Sequence, residues 1–183
     1  MSGNEQRLCK LLAFLLDYPT SSWREDLVGL GAVVEEVTDV RHRQPLQEFL
    51  TYAGDTSSIE LQEIYTQAFD LDPAGSLHLT YHLMGDSEDR GKALARLLWI
   101  YHHEGYDAPI GELPDYLPMI LEFLTLCPDP ADAAPLWSCL GALAGLAERL
   151  KNQNHPYAGL MGLAAEIIQP HLDIPYAYMG KEV

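Results

Sequence analysis

The sequence is poor in bases. Eleven Lys and Arg stand against 27 Asp and Glu in 183 residues, a formal net charge of −16. Phosphate neutralisation needs clustered Lys and Arg, so a default nucleic-acid binder is excluded. Docking on an anionic leaflet is disfavoured for the same reason. Long hydrophobic runs are missing as well: stretches such as Leu11 to Leu16 fall far short of the roughly 20 residues that a membrane span needs. The start, MSGNEQRLCK, is polar and carries Glu5, which gives no signal peptide. Cysteine is sparse. Cys9, Cys127 and Cys139 have no CxxC spacing and leave an odd one over, which fits reduced, buried thiols of a cytoplasmic protein rather than a disulfide framework.

Several chemistries lack their sequence evidence. No G-x-x-x-x-G-K-[ST] and no strand-flanked G-x-G-x-x-G supplies a phosphate cradle, and neither H-E-x-x-H nor G-x-S-x-G is present. His78 and His82 lie four apart, a spacing that puts two imidazoles on one side of a helix. No Cys or further His in that segment completes a set of four ligands. Glu112 and Asp115, three apart, could be an acid/base pair; carboxylates at a helix start are also stabilised by the helix dipole without any catalytic role.

What remains is a chain of ordinary single-domain length, 48% hydrophobic and hence no acidic disordered tail. Its periodicity is helical. Leu8, Leu11, Leu12, Leu15 and Leu16 form one apolar face, stopped by Tyr18-Pro19. Capping boxes at Ser22/Glu25 and Ser57/Glu60 open two further helices, the first running to about Val37 and the second carrying Leu61, Ile64, Tyr65 and Ala68. Pro45 suits the first position of a helix that Gly54 closes. Breakers interrupt residues 70–75, and further helices are expected over 76–84, 88–104, 113–126 (opened by Pro114), 133–152 and 157–169. Pro170 and Pro175 argue against helix in the tail. The expectation is an all-α, single-domain bundle of about eight to nine helices over 1–170, followed by an extended or disordered tail, 171–183.

Charge is unevenly spread. Between Gln44 and Glu148 the sequence holds seventeen acids and only Arg90, Lys92 and Arg96 as bases. An acidic surface interleaved with Tyr65, Phe69, Tyr81, Tyr106, Tyr116 and Phe123 suits a basic amphipathic peptide. Solubility, salt adaptation and a plain helical core explain the same composition. The three bases could pair locally with Asp86, Glu88 or Asp89, or hold a cofactor phosphate.

Four spaced segments go further. ELPDYLPMILEFL (residues 112–124) places two prolines four apart among acids, and contains E-x-x-D-[HY] as Glu112, Asp115 and Tyr116. LLAFLLDYPTSSW (11–23), LQEIYTQAFD (61–70) and SLHLTYHLMGDSEDRGKALARLL (76–98) accompany it in order. Together they resemble the NarJ-type nitrate reductase assembly chaperones, or nitrate reductase delta subunits, within the TorD/DmsD-like redox-enzyme maturation proteins. The resemblance spans roughly residues 8 to 170. It departs at Phe69-Asp70-Leu71-Asp72-Pro73-Ala74-Gly75, where many members read F-D-R-G-R.

The resemblance implies an all-α, non-enzymatic chaperone with no cofactor or metal of its own. Its partner would be the apo catalytic subunit of a molybdoenzyme, gripped by the N-terminal leader or its vestige. The chaperone would hold that subunit in the cytoplasm for insertion of the molybdopterin guanine dinucleotide, before membrane attachment. Client-peptide residues expected on this basis are Tyr65, Phe69, Tyr81, His82, Glu112, Asp115, Tyr116 and Glu122. Nitrate reductase is the expected client; selenate, chlorate, dimethylsulfide and ethylbenzene oxidoreductases have similar chaperones. Monomer and helix-swapped dimer both occur among such proteins. From another class, a helical metal-dependent enzyme using His78 and His82 stays open at this point. Nucleotide binding, proposed within the wider group, has no phosphate loop to support it here.

Overall fold

The computed structural model describes residues 1–20, 22–130 and 134–172. Its helices are α1 (Gly3–Leu15), α2 (Trp23–Glu35), α3 (Val40–Asp55), α4 (Ser58–Tyr65), α5 (Leu79–Met84), α6 (Glu88–His103), α7 (Leu117–Leu126), α8 (Ala134–Leu140), α9 (Leu143–Asn152) and α10 (Ala158–Leu172). A π-helical turn, Thr66–Asp70, continues α4, and a 3₁₀ turn covers Pro73–Gly75. No strand is present among the described residues, only one isolated antiparallel bridge, His78 with Tyr116. The class is all-α, as the 3.6-residue periodicity requires. No described helix is long and apolar enough to cross a membrane.

Capping decides several boundaries. Ser57 caps α4 as expected, its Oγ accepting the Glu60 amide at 3.2 Å. The capping box expected at Ser22 does not form. Ser22 is already in the right-handed helical region and caps nothing with its side chain; its hydroxyl lies 3.2 Å from that of Thr20. The third helix starts at Val40 and not at Pro45, because Asp39 accepts the Arg41 amide at 2.9 Å. Pro45 therefore sits inside α3. A Cβ on Gly159 would stand 3.1 Å from the Pro45 Cβ, so α10 approaches the proline ring through a glycine.

Three other boundaries move. Residues 76–78 are not helical: His78 forms the bridge to Tyr116, and the Leu77 carbonyl accepts the Leu117 amide. Pro118, not Pro114, occupies the first turn of α7. The helix expected over 133–152 is two helices. Gly141 and Ala142 donate to Ser138 and Cys139 at 3.2 Å, tight i→i+3 bonds that end α8 before α9 begins. Finally, α10 runs through Pro170 to Leu172. The last turn is held by His171, whose ring stacks on Trp137 at 5.3 Å and whose Nε2 lies 3.5 Å from a Glu5 carboxylate oxygen. Expectations for residue 133 and for 173–183 fall outside the described residues.

The chain divides into two compact units, with the division falling inside α1 and α10 and at the α8–α9 break. One comprises Met1–Phe14, Leu77–Ala142 and the chain from Glu166. Its core draws Leu8 and Leu12 from α1, Leu97, Ile100 and Tyr101 from α6, and Ile120, Phe123 and Leu124 from α7. The other comprises Leu15–Ser76 and Leu143–Ala165. Its core is aromatic: Trp23, Phe49, Tyr65, Phe69 and Tyr157 are all buried. Each fully buried large side chain contributes about 1.5–3 kcal/mol to its unit.

Candidate functional site

The E-x-x-D-Y segment lies in the first unit, in the connection between α6 and α7. That connection leaves α6 through Gly105, at φ +76°, where the Tyr106 amide reaches back to the Tyr101 carbonyl at 2.8 Å. This is a left-handed helix end that favours glycine. Backbone bonds then fasten the segment to the start of α5: Leu79 N–H donates to the Asp115 carbonyl at 3.0 Å, and Leu117 N–H to the Leu77 carbonyl at 2.9 Å. The buried Tyr101 hydroxyl adds a third tie, donating to the Pro114 carbonyl at 2.7 Å.

This clamp points the Asp115 side chain inward, where it has no exposed surface. Oδ2 accepts the Thr80 amide at 3.1 Å and the Thr80 hydroxyl. The Arg90 guanidinium lies 3.5 Å from Oδ2, and His78 Nδ1 lies 3.3 Å from Oδ1. The N-cap of α5, His78, makes no side-chain cap bond, so Asp115 caps α5 from a distant segment. Arg90 also donates from Nε to the Thr80 hydroxyl at 3.0 Å, and its guanidinium carbon is 5.7 Å from the Tyr81 ring centre. Burial opposes ionisation of Asp115. The His78 imidazole beside it, the hydrogen bonds from Thr80 and the Arg90 charge outweigh it and hold the carboxyl below its ordinary range.

Its hydrogen bonds from Thr80 and its approach to Arg90 fasten the loop to α5 and α6. The outer side of the same loop is different. Glu112 is exposed, with Oε1 3.9 Å from His78 Nε2. Tyr116 is half-buried, its ring 5.4 Å from that of His78. Gly111, at φ +96°, makes the turn, and the neighbouring Ile110 is fully exposed.

The remaining expected residues are placed as follows. Tyr81 and His82 are half-buried on α5. Glu122 is exposed on α7 and accepts the Tyr106 hydroxyl at 2.7 Å. Tyr65 and Phe69 belong to the second unit and are only 2% and 3% exposed. They pack edge-on at 4.8 Å, each also against Tyr157, and the Tyr65 hydroxyl donates to the Leu16 carbonyl. Thr80 and Tyr101 were not among the expected residues, and Arg90 was expected to pair locally or with phosphate, not with Asp115.

The metal alternative loses its premise. His78 is extended, at φ −83° and ψ 92°, so it does not share a helix side with His82. Among the described residues no cluster of three or more His, Cys, Asp or Glu could hold a metal ion.

Comparison with known proteins agrees with the motifs. A family model described as "Nitrate reductase delta subunit" matches residues 37–162. The chain is 31% identical over 150 residues to the probable nitrate reductase molybdenum cofactor assembly chaperone NarJ of Bacillus subtilis, covering 82% of each protein. It is 30% identical over 165 residues to the nitrate reductase molybdenum cofactor assembly chaperone NarJ of Escherichia coli K12, covering 89% of this chain and 70% of that one. Against the probable chaperone NarW of the same organism identity is 31%, over 84% of this chain and 64% of the relative. These relatives are named as chaperones and not as enzymes. The chain belongs to the nitrate reductase delta subunit family.

Proposed function

We propose that the protein is an assembly chaperone for a molybdenum-containing nitrate reductase. It holds the apo catalytic subunit by its N-terminal segment while the cofactor is inserted, and before that subunit joins its membrane partner. The observation that carries this reading is the pinned E-x-x-D-Y loop. Its charge-assisted interior fixes the backbone, while Glu112, Tyr116 and Ile110 remain at the surface. A rigid loop with an acidic and an apolar element outward is suited to a basic amphipathic peptide. The acid excess between Gln44 and Glu148 favours the same partner by long-range attraction. The curated names point to nitrate reductase over the other molybdoenzymes.

The test is affinity capture from the native host under nitrate respiration, with and without molybdenum starvation. Enrichment of the nitrate reductase catalytic subunit is expected, and more of it when starvation keeps that subunit cofactor-free. Equal capture of loaded and empty subunit, or none of either, refutes the reading.

A further inference from the structure

In the first unit α6 meets the core through Leu97, Ile100 and Tyr101, all buried. Leu98 and Trp99, next to that face, stay 47% and 43% exposed, and the core does not need them. Trp99 is not an isolated surface aromatic. The Arg96 guanidinium carbon stands 4.2 Å from its ring centre, and the His103 ring is stacked on it at 4.8 Å with the planes 9° apart. Positions 96, 99 and 103 follow one side of a helix, and Lys92 continues that side one turn earlier. The four side chains span roughly 16 Å along the axis, about three turns of α6.

This stripe differs in charge from its surroundings. Between Gln44 and Glu148 the only Lys and Arg are Arg90, Lys92 and Arg96, against seventeen acids. Arg90 turns to Asp115 and Thr80, and the other two lie on the exposed side of α6. Lys92 pairs with Asp89 at 2.8 Å, with both side chains largely in water. A pair of that kind contributes little and exchanges for a better partner at small cost. The contact between Arg96 and Trp99 acts differently. A guanidinium held on an indole face keeps its donors while losing rotamer freedom, so less entropy is lost when those donors meet a carboxylate. Trp and Arg are also the residues in which binding energy concentrates at protein interfaces.

Charge selects the partner. Lys92 and Arg96 repel a segment rich in Lys or Arg, so this face does not serve the basic peptide assigned to the E-x-x-D-Y loop. A long polyanion is repelled by a chain of net charge −16 and gains nothing from the bare Leu98 side chain. A short acidic helix with apolar anchors matches both features, its aliphatic side chains on Leu98 and Trp99 and its carboxylates on Lys92 and Arg96. We infer that the exposed side of α6 docks an acidic amphipathic helix of a second protein, separate from the client's N-terminal segment. The inference does not depend on the client reading.

Trp99 supplies its own reporter. Trp23 and Trp137 are buried, at 4% and 7% exposure, so docking on α6 acts on the emission of Trp99. The full chain is titrated with three labelled probes: a designed amphipathic Leu/Glu helix, its Leu/Lys counterpart and a short thymidine oligonucleotide. Affinity is read from probe anisotropy and contact from tryptophan emission. Wild type is expected to bind the Leu/Glu helix with a blue shift and a dependence on salt. Lys92→Gln with Arg96→Gln should weaken it about tenfold and flatten the salt dependence, and Trp99→Ala should weaken it and abolish the shift. These substitutions leave Arg90 and Asp115 in place, and circular dichroism checks that helix content is kept. A Leu/Glu helix that does not bind, or that binds wild type and both variants equally, overturns the inference. So does a preference for the Leu/Lys helix that disappears in Trp99→Ala. Oligonucleotide binding lost in the same variants, without binding of the Leu/Glu helix, replaces the protein partner by a phosphate polyanion and overturns it as well.

Discussion

Two regions bury motif residues by opposite means. Around Tyr157 the second unit stacks the rings of Phe49, Tyr65, Phe69 and His155, with centroids 4.7 to 5.8 Å from that of Tyr157. Around Asp115 the first unit gathers Thr80, Arg90 and His78 on a single carboxylate. One region depends on shape and area, the other on charge and hydrogen-bond direction. In both, residues that a sequence motif marks as functional are buried.

The largest effect is expected in the aromatic region. Phe69→Ala removes a ring that is 3% exposed and should cost about 4 kcal/mol of unfolding free energy. Urea denaturation measures it. A loss below about 1 kcal/mol would mean that the cluster collapses onto the gap and is not packed as a unit.

Asp115→Ala comes next, at about 3 kcal/mol, because it strands Arg90, the Thr80 amide and the start of α5 in a buried setting. Here acidity separates the regions. Asp115 ionises below its ordinary value in the folded protein, so its contribution is complete above the unfolded value of about 3.9 and is lost as pH falls through the lower folded value. His155, in the aromatic region, has its pKa lowered by burial and by the Arg149 charge. The unfolded chain takes up that proton first, so this stability declines as pH drops below about 6.5. Denaturation midpoints from pH 8 to pH 3 should therefore fall in two stages. His155→Gln should remove the earlier stage and Asp115→Asn the later.

One substitution made twice sharpens the contrast further. Tyr101→Phe deletes a buried bond to the Pro114 carbonyl and should cost about 1 kcal/mol. The Tyr157 hydroxyl is buried with no hydrogen-bond partner among the described residues, so Tyr157→Phe should leave thermal stability unchanged or raise it. A loss at Tyr157 equal to that at Tyr101 would assign the hydroxyl a partner and erase the distinction.

How much of this was legible in the sequence follows the same division. Helix periodicity is a local signal, so α1, α4 and α6 could be read from their leucines and caps. The aromatic residues were visible as types, but the burial of Tyr65 and Phe69 depends on Tyr157, about ninety residues on, which no local pattern reaches. The E-x-x-D-Y motif was visible too, and its acids were assigned to a helix start because Pro114 resembles a first-turn proline. The bridge from His78 to Tyr116 overrules that by pairing backbone across a long separation. The clue available was the apolar run following Asp115. An acid entering such a run must be exposed or paired, and the DRG arginine of the neighbouring motif was the base at hand. The π turn left no mark beyond the breakers that follow it.

A similarly small effect on stability should fall on the residue that faces outward from the same loop. Glu112→Gln leaves the Asp115 fastening intact, and Glu112 is exposed with only a 3.9 Å approach to His78. Unfolding free energy should change by no more than about 0.5 kcal/mol. If the outer side of the loop meets a basic peptide, the same substitution should still lower the association rate and reduce its salt dependence, since rim charges act mainly on encounter. Stopped-flow binding of the catalytic subunit's N-terminal peptide at two ionic strengths reads both. An unchanged rate at low salt would show that the loop's outer carboxylate plays no part in recognition.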